Sequence, residues 1–337
     1  MTLRVACLGA GYFSRFHIDG WQRIKGVELA GVCDLDPAKA GATGVPPYAD
    51  LTKMLQEVAP DILDIILPPA GHAAAIKTAV GAGVPTVICQ KPFCTSLSEA
   101  REMVALAKAA GTNLVIHENF RFQPWYRTIK LAIDNGQIGQ VLQATFRLRP
   151  GDGQGPDAYL DRQPYFREMP RLLIHETGVH FVDVFRYLLG DVTSVYADLR
   201  QVNPVLAGED AGHVISTHCS GARAVFDANR CLDHATDNTR RTMGEALIEG
   251  TEGTLTLTGD GVVRMRVFGK TEQSVLLGPN ASQHFGGDCT FTLQEHVVEA
   301  LHGKRQFENL AADYVQVLVV EKAIYRSAET GQKVLIT

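Results

Sequence analysis

The chain contains no CxxC pair, no run of basic residues, no long apolar stretch and no low-complexity tract, and each absence closes a class of function. The seven cysteines, at positions 7, 33, 89, 94, 219, 231 and 289, are odd in number and lack the spacing of a metal or redox centre. Several lie inside apolar runs, where cysteine acts as a small hydrophobe. Reduced thiols, a cytoplasmic location and no metal site are therefore expected. A formal net charge of −5, with no interleaving of aromatic and basic residues, leaves no electrostatic footprint for nucleic acid. Apolar stretches fall far short of the roughly 18 residues that a membrane span requires. The opening "MTLRVACLGAGYF" enters a strand-like run directly, without the h-region and cleavage site of a secretory signal. Neither a membrane nor secretion is expected, and a small molecule becomes the default partner.

What is present is an alternation of short apolar runs with helical patterns through the first third. "LRVACLG" (3–9), "VELAGVCD" (27–34), "ILDIILP" (62–68), "PTVICQ" (85–90) and "NLVIHE" (113–118) read as strands buried on both faces. Between them, "SRFHIDGWQRI", "ADLTKMLQEV", "HAAAIKTAVGAG" and "SLSEAREMVALAKAAG" carry apolar residues at helical intervals, the last opening on a Ser96 cap with Glu99 three residues on. Such alternation predicts a doubly wound parallel sheet. Beyond "FRFQPWYRTIKLAIDNGQIG" the pattern changes to longer, alternating strands with glycine-containing turns, as in a large and mostly antiparallel sheet. At 337 residues the chain is long for one core. The reading is an N-terminal Rossmann domain over residues 1–121 and a C-terminal α+β domain over residues 122–337, the second serving substrate binding and oligomerisation. The one long loop, "RPGDGQGPDAYLDRQPYF", is of a length more often functional than idle.

The first strand ends in Gly9-Ala10-Gly11-Tyr12-Phe13-Ser14, a GxGxxG variant with Ser third, leading into a helix. Without side chains at Gly9 and Gly11 the backbone turns tightly and can approach a pyrophosphate held at the helix N-terminus. Asp34 ends the second strand about 20 residues on, where the fingerprint places the acceptor for ribose hydroxyls. Leu35 and Asp36 offer no cation to a 2′-phosphate, so NAD is favoured over NADP.

Three further motifs carry a family likeness: "QKP" closing the strand at Gln90-Lys91-Pro92, "LPPAGH" with Pro68 and His72, and "ETGVHFVD" entering a helix. Together they resemble the glucose-fructose oxidoreductase, inositol dehydrogenase and rhizopine-catabolism (Gfo/Idh/MocA) family. "ICQKPF" with "HENFRFQPWYR" is similar to the branch of that family that oxidises D-apiose. The resemblance implies that Lys91 contacts substrate and nicotinamide ribose, and that Glu176 and His180 supply the other catalytic positions. The family's usual tripeptide is Glu-Lys-Pro and its usual helix motif Asp-x-x-x-His, so Gln90 and Glu176 depart from it. It also implies a homodimer or homotetramer formed through the C-terminal sheet.

The residues support this independently. Glu176 and His180, four apart, share one face of a helix, where the carboxylate can orient the imidazole. Oxidation of an alcohol by NAD needs a base for the hydroxyl proton, a task for His180, and a polarising group, a task for Lys91 at the C-terminal end of a parallel strand. Pro92 biases Lys91 away from helical geometry, and the sequence leaves the isomer of that peptide open. Gln90 keeps the hydrogen bonding of a Glu and removes the negative charge that would hold Lys91 protonated.

Other positions offer contacts. His72 caps the following helix or touches the cofactor. Glu118, Asn119 and Arg121 line the nicotinamide end, unless Arg121 and Trp125 simply seal the domain junction. Arg121, Arg149, Tyr165, Arg167, Arg171 and His175 offer polar groups for substrate, each with a structural reading beside it. The expected function is NAD-dependent oxidation of a sugar, cyclitol or sugar acid, with an aldose giving its lactone. An oxidoisomerase, a redox-cycling hydrolase and a non-catalytic NAD-binding sensor are the alternatives.

Overall fold

The runs of the first third are short and rich in branched apolar residues, and in the computed structural model, which describes residues 2–282 and 284–336, they pair as parallel strands. They are β1 (Leu3–Leu8), β2 (Val27–Cys33), β3 (Pro47–Tyr48), β4 (Ile62–Ile65), β5 (Thr86–Gln90) and β6 (Asn113–His117), in the order β3-β2-β1-β4-β5-β6. The order reverses between β1 and β4, the place where open parallel sheets bind ligands beyond their strand C-termini. The expected Rossmann sheet is present, with β3 as a two-residue addition.

The connecting helices are α1 (Ser14–Arg23), α2 (Pro37–Gly41), α3 (Leu51–Val58), α4 (His72–Gly81) and α5 (Leu97–Ala110). Helix α5 begins as its sequence predicts, with Ser96 Oγ accepting the Glu99 N–H at 3.2 Å. The returning bond of the capping box falls one residue earlier, on the Thr95 N–H at 2.8 Å from Glu99 Oε2.

The chain forms two compact units, Met1–Asn119 with Asp288–Val315, and Phe120–Gly287 with Gln316–Thr337. The division expected at 121/122 left the whole of 288–315 in the second domain. In the structure that segment packs with the first. Glu118, fully buried at the end of β6, explains part of the return: Tyr314 Oη donates to its carboxylate at 3.1 Å, and Asn309 Nδ2 to its carbonyl at 2.6 Å.

The second unit holds α6 (Pro124–Asp134), α7 (Val179–Leu189) and a nine-stranded sheet. Its strands are β7 (Val141–Leu148), β8 (Val192–Arg200), β9 (Ala211–His218), β10 (Arg223–Asn229), β11 (Gly244–Gly250), β12 (Gly253–Leu257), β13 (Val263–Val267), β14 (Ser274–Leu277) and β15 (Val334–Leu335). The order is β14-β13-β12-β11-β7-β10-β9-β8-β15, antiparallel throughout except for the parallel pair β7/β10. One face is core: Phe146 and Phe226, paired across β7 and β10, both stack on Phe181 of α7, with ring centroids 4.0 and 4.9 Å away. The long loop is not idle coil. A short helical turn, Pro164–Glu168, and a small core of Ala158, Tyr159, Phe166, Leu172 and Leu206 order it. The remaining long helices are α8 (Cys289–Leu301) and α9 (Ala311–Thr330). Among the described residues no helix is long and apolar enough to cross a membrane.

Candidate active site

The glycine loop between β1 and α1 is shaped by close approach. Gly9 sits at φ +104°, and a Cβ there would stand 2.5 Å from the Ile66 carbonyl oxygen. Only glycine is comfortable with both constraints. Around Gly11 no atom would touch an added Cβ, so the loop opens to free space at the helix end. Asp34 stands at the end of β2, with Oδ2 accepting the Ala10 N–H at 2.7 Å and Oδ1 the Asp36 N–H at 2.8 Å. Each oxygen retains a second lone pair, so the carboxylate is held in place and can still accept ribose hydroxyls. Asp36 is spent on capping α2 through the Ala38 N–H. Tyr12 is exposed, its ring under the Arg15 guanidinium, and Phe13 packs on Phe16 and His17. An anion-accepting helix end, an open glycine loop and a fixed acidic acceptor form a donor set that fits a dinucleotide.

Lys91 follows directly on β5, half-buried, and its bond to Pro92 is cis. The Gln90 side chain, by contrast, is buried: Oε1 accepts the Lys91 N–H at 3.0 Å and Nε2 lies 2.8 Å from His17 Nε2. His17 Nδ1 in turn lies 2.7 Å from Asp64 Oδ2, and both residues are wholly shielded from water. Sequence reasoning missed this pair. The signal was available in Asp64, a lone charge inside "ILDIIL", because a buried carboxylate demands partners.

In the second unit the structure revises the local geometry of the "ETGVHFVD" motif. A regular helix was expected through Glu176; instead Leu173–Gly178 forms a π-helical turn, and α7 starts at Val179. Such turns are frequent at functional sites. Glu176 Oε2 accepts from Thr177 Oγ1 at 2.5 Å and lies 3.3 Å from Arg230 Nη1. His180 is buried, its ring stacked on Phe120 at 3.8 Å between centroids and 5° between planes. Arg230, also unforeseen, is buried and bridges Thr177, Glu176 and Asp152. Burial pushes the Asp152 carboxyl up, but Arg230 and Arg162 outweigh it and hold the group below the usual carboxylate range.

Arg121 makes a two-pronged ion pair with Asp183, Nε to Oδ2 at 2.8 Å and Nη2 to Oδ1 at 2.5 Å, both residues buried. Arg149 is engaged with the sheet rather than held out toward a ligand: Nη2 meets both oxygens of Asp227 at 2.7 Å, and Nη1 donates to the carbonyls of Leu148 and Asp227 at 2.8 Å. His175 Nδ1 lies 2.6 Å from Glu321 Oε1. Tyr165 is exposed in the long loop, its hydroxyl accepting from Gln163 at 3.1 Å. Asn119 is buried and donates to Thr290 Oγ1 at 3.4 Å. Pro68 is exposed and starts the turn before α4. His72 is not a helix cap. It is buried, Nε2 toward the Leu67 carbonyl at 2.8 Å and Nδ1 toward the Cys94 N–H at 3.4 Å, and burial holds its imidazole below the ordinary value. Lys91, Gln90 and His72 thus gather at the β5 end of the first unit. His175, Glu176 and His180 share one helical segment of the second, and Arg149 is bound to its sheet.

Comparison with known proteins covers the chain almost end to end. Residues 3–118 match the family described as oxidoreductase family, NAD-binding Rossmann fold, and residues 126–256 match the GFO/IDH/MocA C-terminal domain. A D-apiose dehydrogenase of Paraburkholderia graminis is 32% identical over 98% of this chain and 88% of its own length. One from Rhizobium rhizogenes is 29% identical, covering 98% of this chain and 97% of its own. Among solved structures, an oxidoreductase from Agrobacterium radiobacter in complex with NAD+, L-tartaric acid and magnesium superposes with a TM-score of 0.90 at 28% identity, covering 100% of this chain and 99% of that one. The first unit is accordingly an NAD-binding Rossmann domain.

Proposed function

The chain belongs to the Gfo/Idh/MocA oxidoreductase family, and from that premise we propose that it oxidises a hydroxyl of a small polyhydroxylated substrate, with D-apiose the first candidate and the C1 lactone its product. The observation that carries this reading is the likeness to two D-apiose dehydrogenases along 98% of the chain. NAD+ supplies the hydride acceptor when bound. The chain's residues do the rest. Gly9, Gly11, Tyr12 and Phe13 receive the pyrophosphate beside the N-terminus of α1, and Asp34 accepts the ribose hydroxyls. Lys91 donates to the substrate oxygen, and His180 takes the hydroxyl proton. The Phe120 ring stacked on His180 limits the imidazole's rotation, and Arg230 with Thr177 holds the Glu176 carboxylate in place beside the same helix.

A sugar acid is a second reading, supported by the L-tartaric acid bound to the Agrobacterium radiobacter protein. The test is a panel of D-apiose, other aldoses, cyclitols and sugar acids, L-tartrate included, assayed for NADH formation. Lys91→Ala should lower kcat by about 10²-fold or more on the accepted substrate. Binding of NAD without turnover on any member would make the protein a sensor. Solvent deuterium entering substrate carbon without net NADH would make it an oxidoisomerase or a redox-cycling hydrolase.

A further inference from the structure

The hydrogen bonds running from Lys91 to Asp64 have a fixed direction. The Lys91 peptide N–H can only donate, and it meets Gln90 Oε1 at 3.0 Å. That contact turns the amide's Nε2 toward His17 Nε2, 2.8 Å away. A side-chain NH2 also only donates, so His17 Nε2 accepts and the ring's single proton lies on Nδ1, aimed at Asp64 Oδ2 at 2.7 Å. Asp64 takes further donors, Trp21 Nε1 at 2.8 Å and Gln294 Nε2 at 3.5 Å. The directions of these bonds leave His17 with its proton on Nδ1 and a bare Nε2, and make Asp64 Oδ2 the acceptor of each donor named. The groups facing His17 are Asp64 from β4, Gln90 from β5, His117 from β6, whose ring centroid is 4.1 Å away, and Phe13 from the glycine loop.

We infer that His17 is a positioning residue for Lys91, tying helix α1 to the end of β5 through Gln90, and that its protonation follows the residue at position 90. The inference rests on the reading of Lys91 as catalytic. A Glu at 90 could still accept the Lys91 N–H, but its other oxygen would face a bare imidazole lone pair in a buried site, where two acceptors in contact leave both unsatisfied. The balance is restored when His17 takes one proton from solvent on Nε2 and becomes an imidazolium between two carboxylates. One negative charge enters with the Glu and one positive charge with the proton, so the cluster's net charge stays the same. Gln-Lys-Pro and Glu-Lys-Pro then differ by a proton on His17 more than by the charge that Lys91 meets. This redirects the sequence expectation, in which Gln90 acted on Lys91 directly.

The test uses the full chain with NAD+ bound and 15N-labelled imidazoles. His17 is assigned by its loss in His17→Asn, whose amide still donates to Asp64 but cannot take up a proton. In the wild type His17 should show one protonated nitrogen, Nδ1, and one bare nitrogen; in Gln90→Glu both should be protonated. With the substrate found in the panel, the Gln90→Glu and His17→Asn cycle should be non-additive in kcat by about tenfold, the double variant being the worse, while KM for NAD moves less. An Nε2–H tautomer or an imidazolium in the wild type, a neutral His17 in Gln90→Glu, or an additive cycle would each overturn the inference. The spectra need no turnover. A fully active Lys91→Ala would therefore sink the catalytic reading while leaving the proton assignment to stand or fall on its own.

Discussion

His72 illustrates how one side chain can make the fold sensitive to pH. Burial lowers its proton affinity in the folded state, and the bond to the Leu67 carbonyl offsets this only in part. Unfolded, the imidazole titrates near its ordinary value of about 6.5. Below that pH the unfolded chain takes a proton that the folded chain refuses, so stability is fully present above it and is lost as pH falls toward the lower folded value. His218, buried with Nδ1 toward the Gly190 carbonyl, acts in the same direction. Urea midpoints should therefore fall between about pH 7.5 and 5.5, with a slope of up to about 1.4 kcal/mol per pH unit for each proton. His72→Gln can keep both hydrogen bonds and cannot titrate, so it should flatten part of that slope; an unchanged slope would remove His72 from the account.

Among the elements, α7 depends on a partner outside its own stretch of sequence. Asp183 lies in it fully buried, held by Arg121 from the turn Phe120–Phe122. Arg121→Met removes the two-pronged partner of that buried carboxylate, which should cost up to about 3–5 kcal/mol of unfolding free energy, whereas Arg121→Met with Asp183→Leu should recover most of the loss. Equilibrium unfolding of the two variants decides it. This pair also marks how far the sequence could be read. Helix α5 was legible because Ser96 and Glu99 announce it within four residues, and the glycine loop because strand, loop, helix and Asp34 fall in one short span. The clamp on Asp183 joins residues 62 apart, and Arg230 reaches Glu176 across 54. No local periodicity encodes such pairings. The π-helical turn before α7 was hidden for the same reason, since apolar spacing reports a helical face and not which carbonyl each N–H selects.

At the scale of the whole molecule, one face of the nine-stranded sheet presents apolar side chains to solvent. Cross-strand register sets Leu247, Thr145, Val225, Ile215 and Tyr196 side by side across five strands, with Leu247, Ile215 and Tyr196 exposed. The neighbouring row is Glu245, Arg147, Asp227, His213 and Asp198, alternating in charge or potential charge. An apolar row bordered by a polar one is the anatomy of an association surface. Tyr196→Glu with Ile215→Glu should convert the proposed oligomer to protomers of 36.6 kDa, read by light scattering on a sizing column. A wild type already monomeric, or a variant of unchanged mass, would remove the sheet from that role.

The first unit closes only with Asp288–Val315. That segment brings Gln294 to Asp64 and Tyr314 to Glu118, and it places the Gln294 side chain where a methyl on Gly20 of α1 would stand 2.0 Å from its oxygen. Translation runs from the other end. When residue 121 leaves the ribosome, all six parallel strands exist, yet two of their buried carboxylates still await donors that have not been made. The nucleotide-binding unit starts before the second sheet and is completed after eight of that sheet's nine strands, so a nascent chain must keep it open through their synthesis.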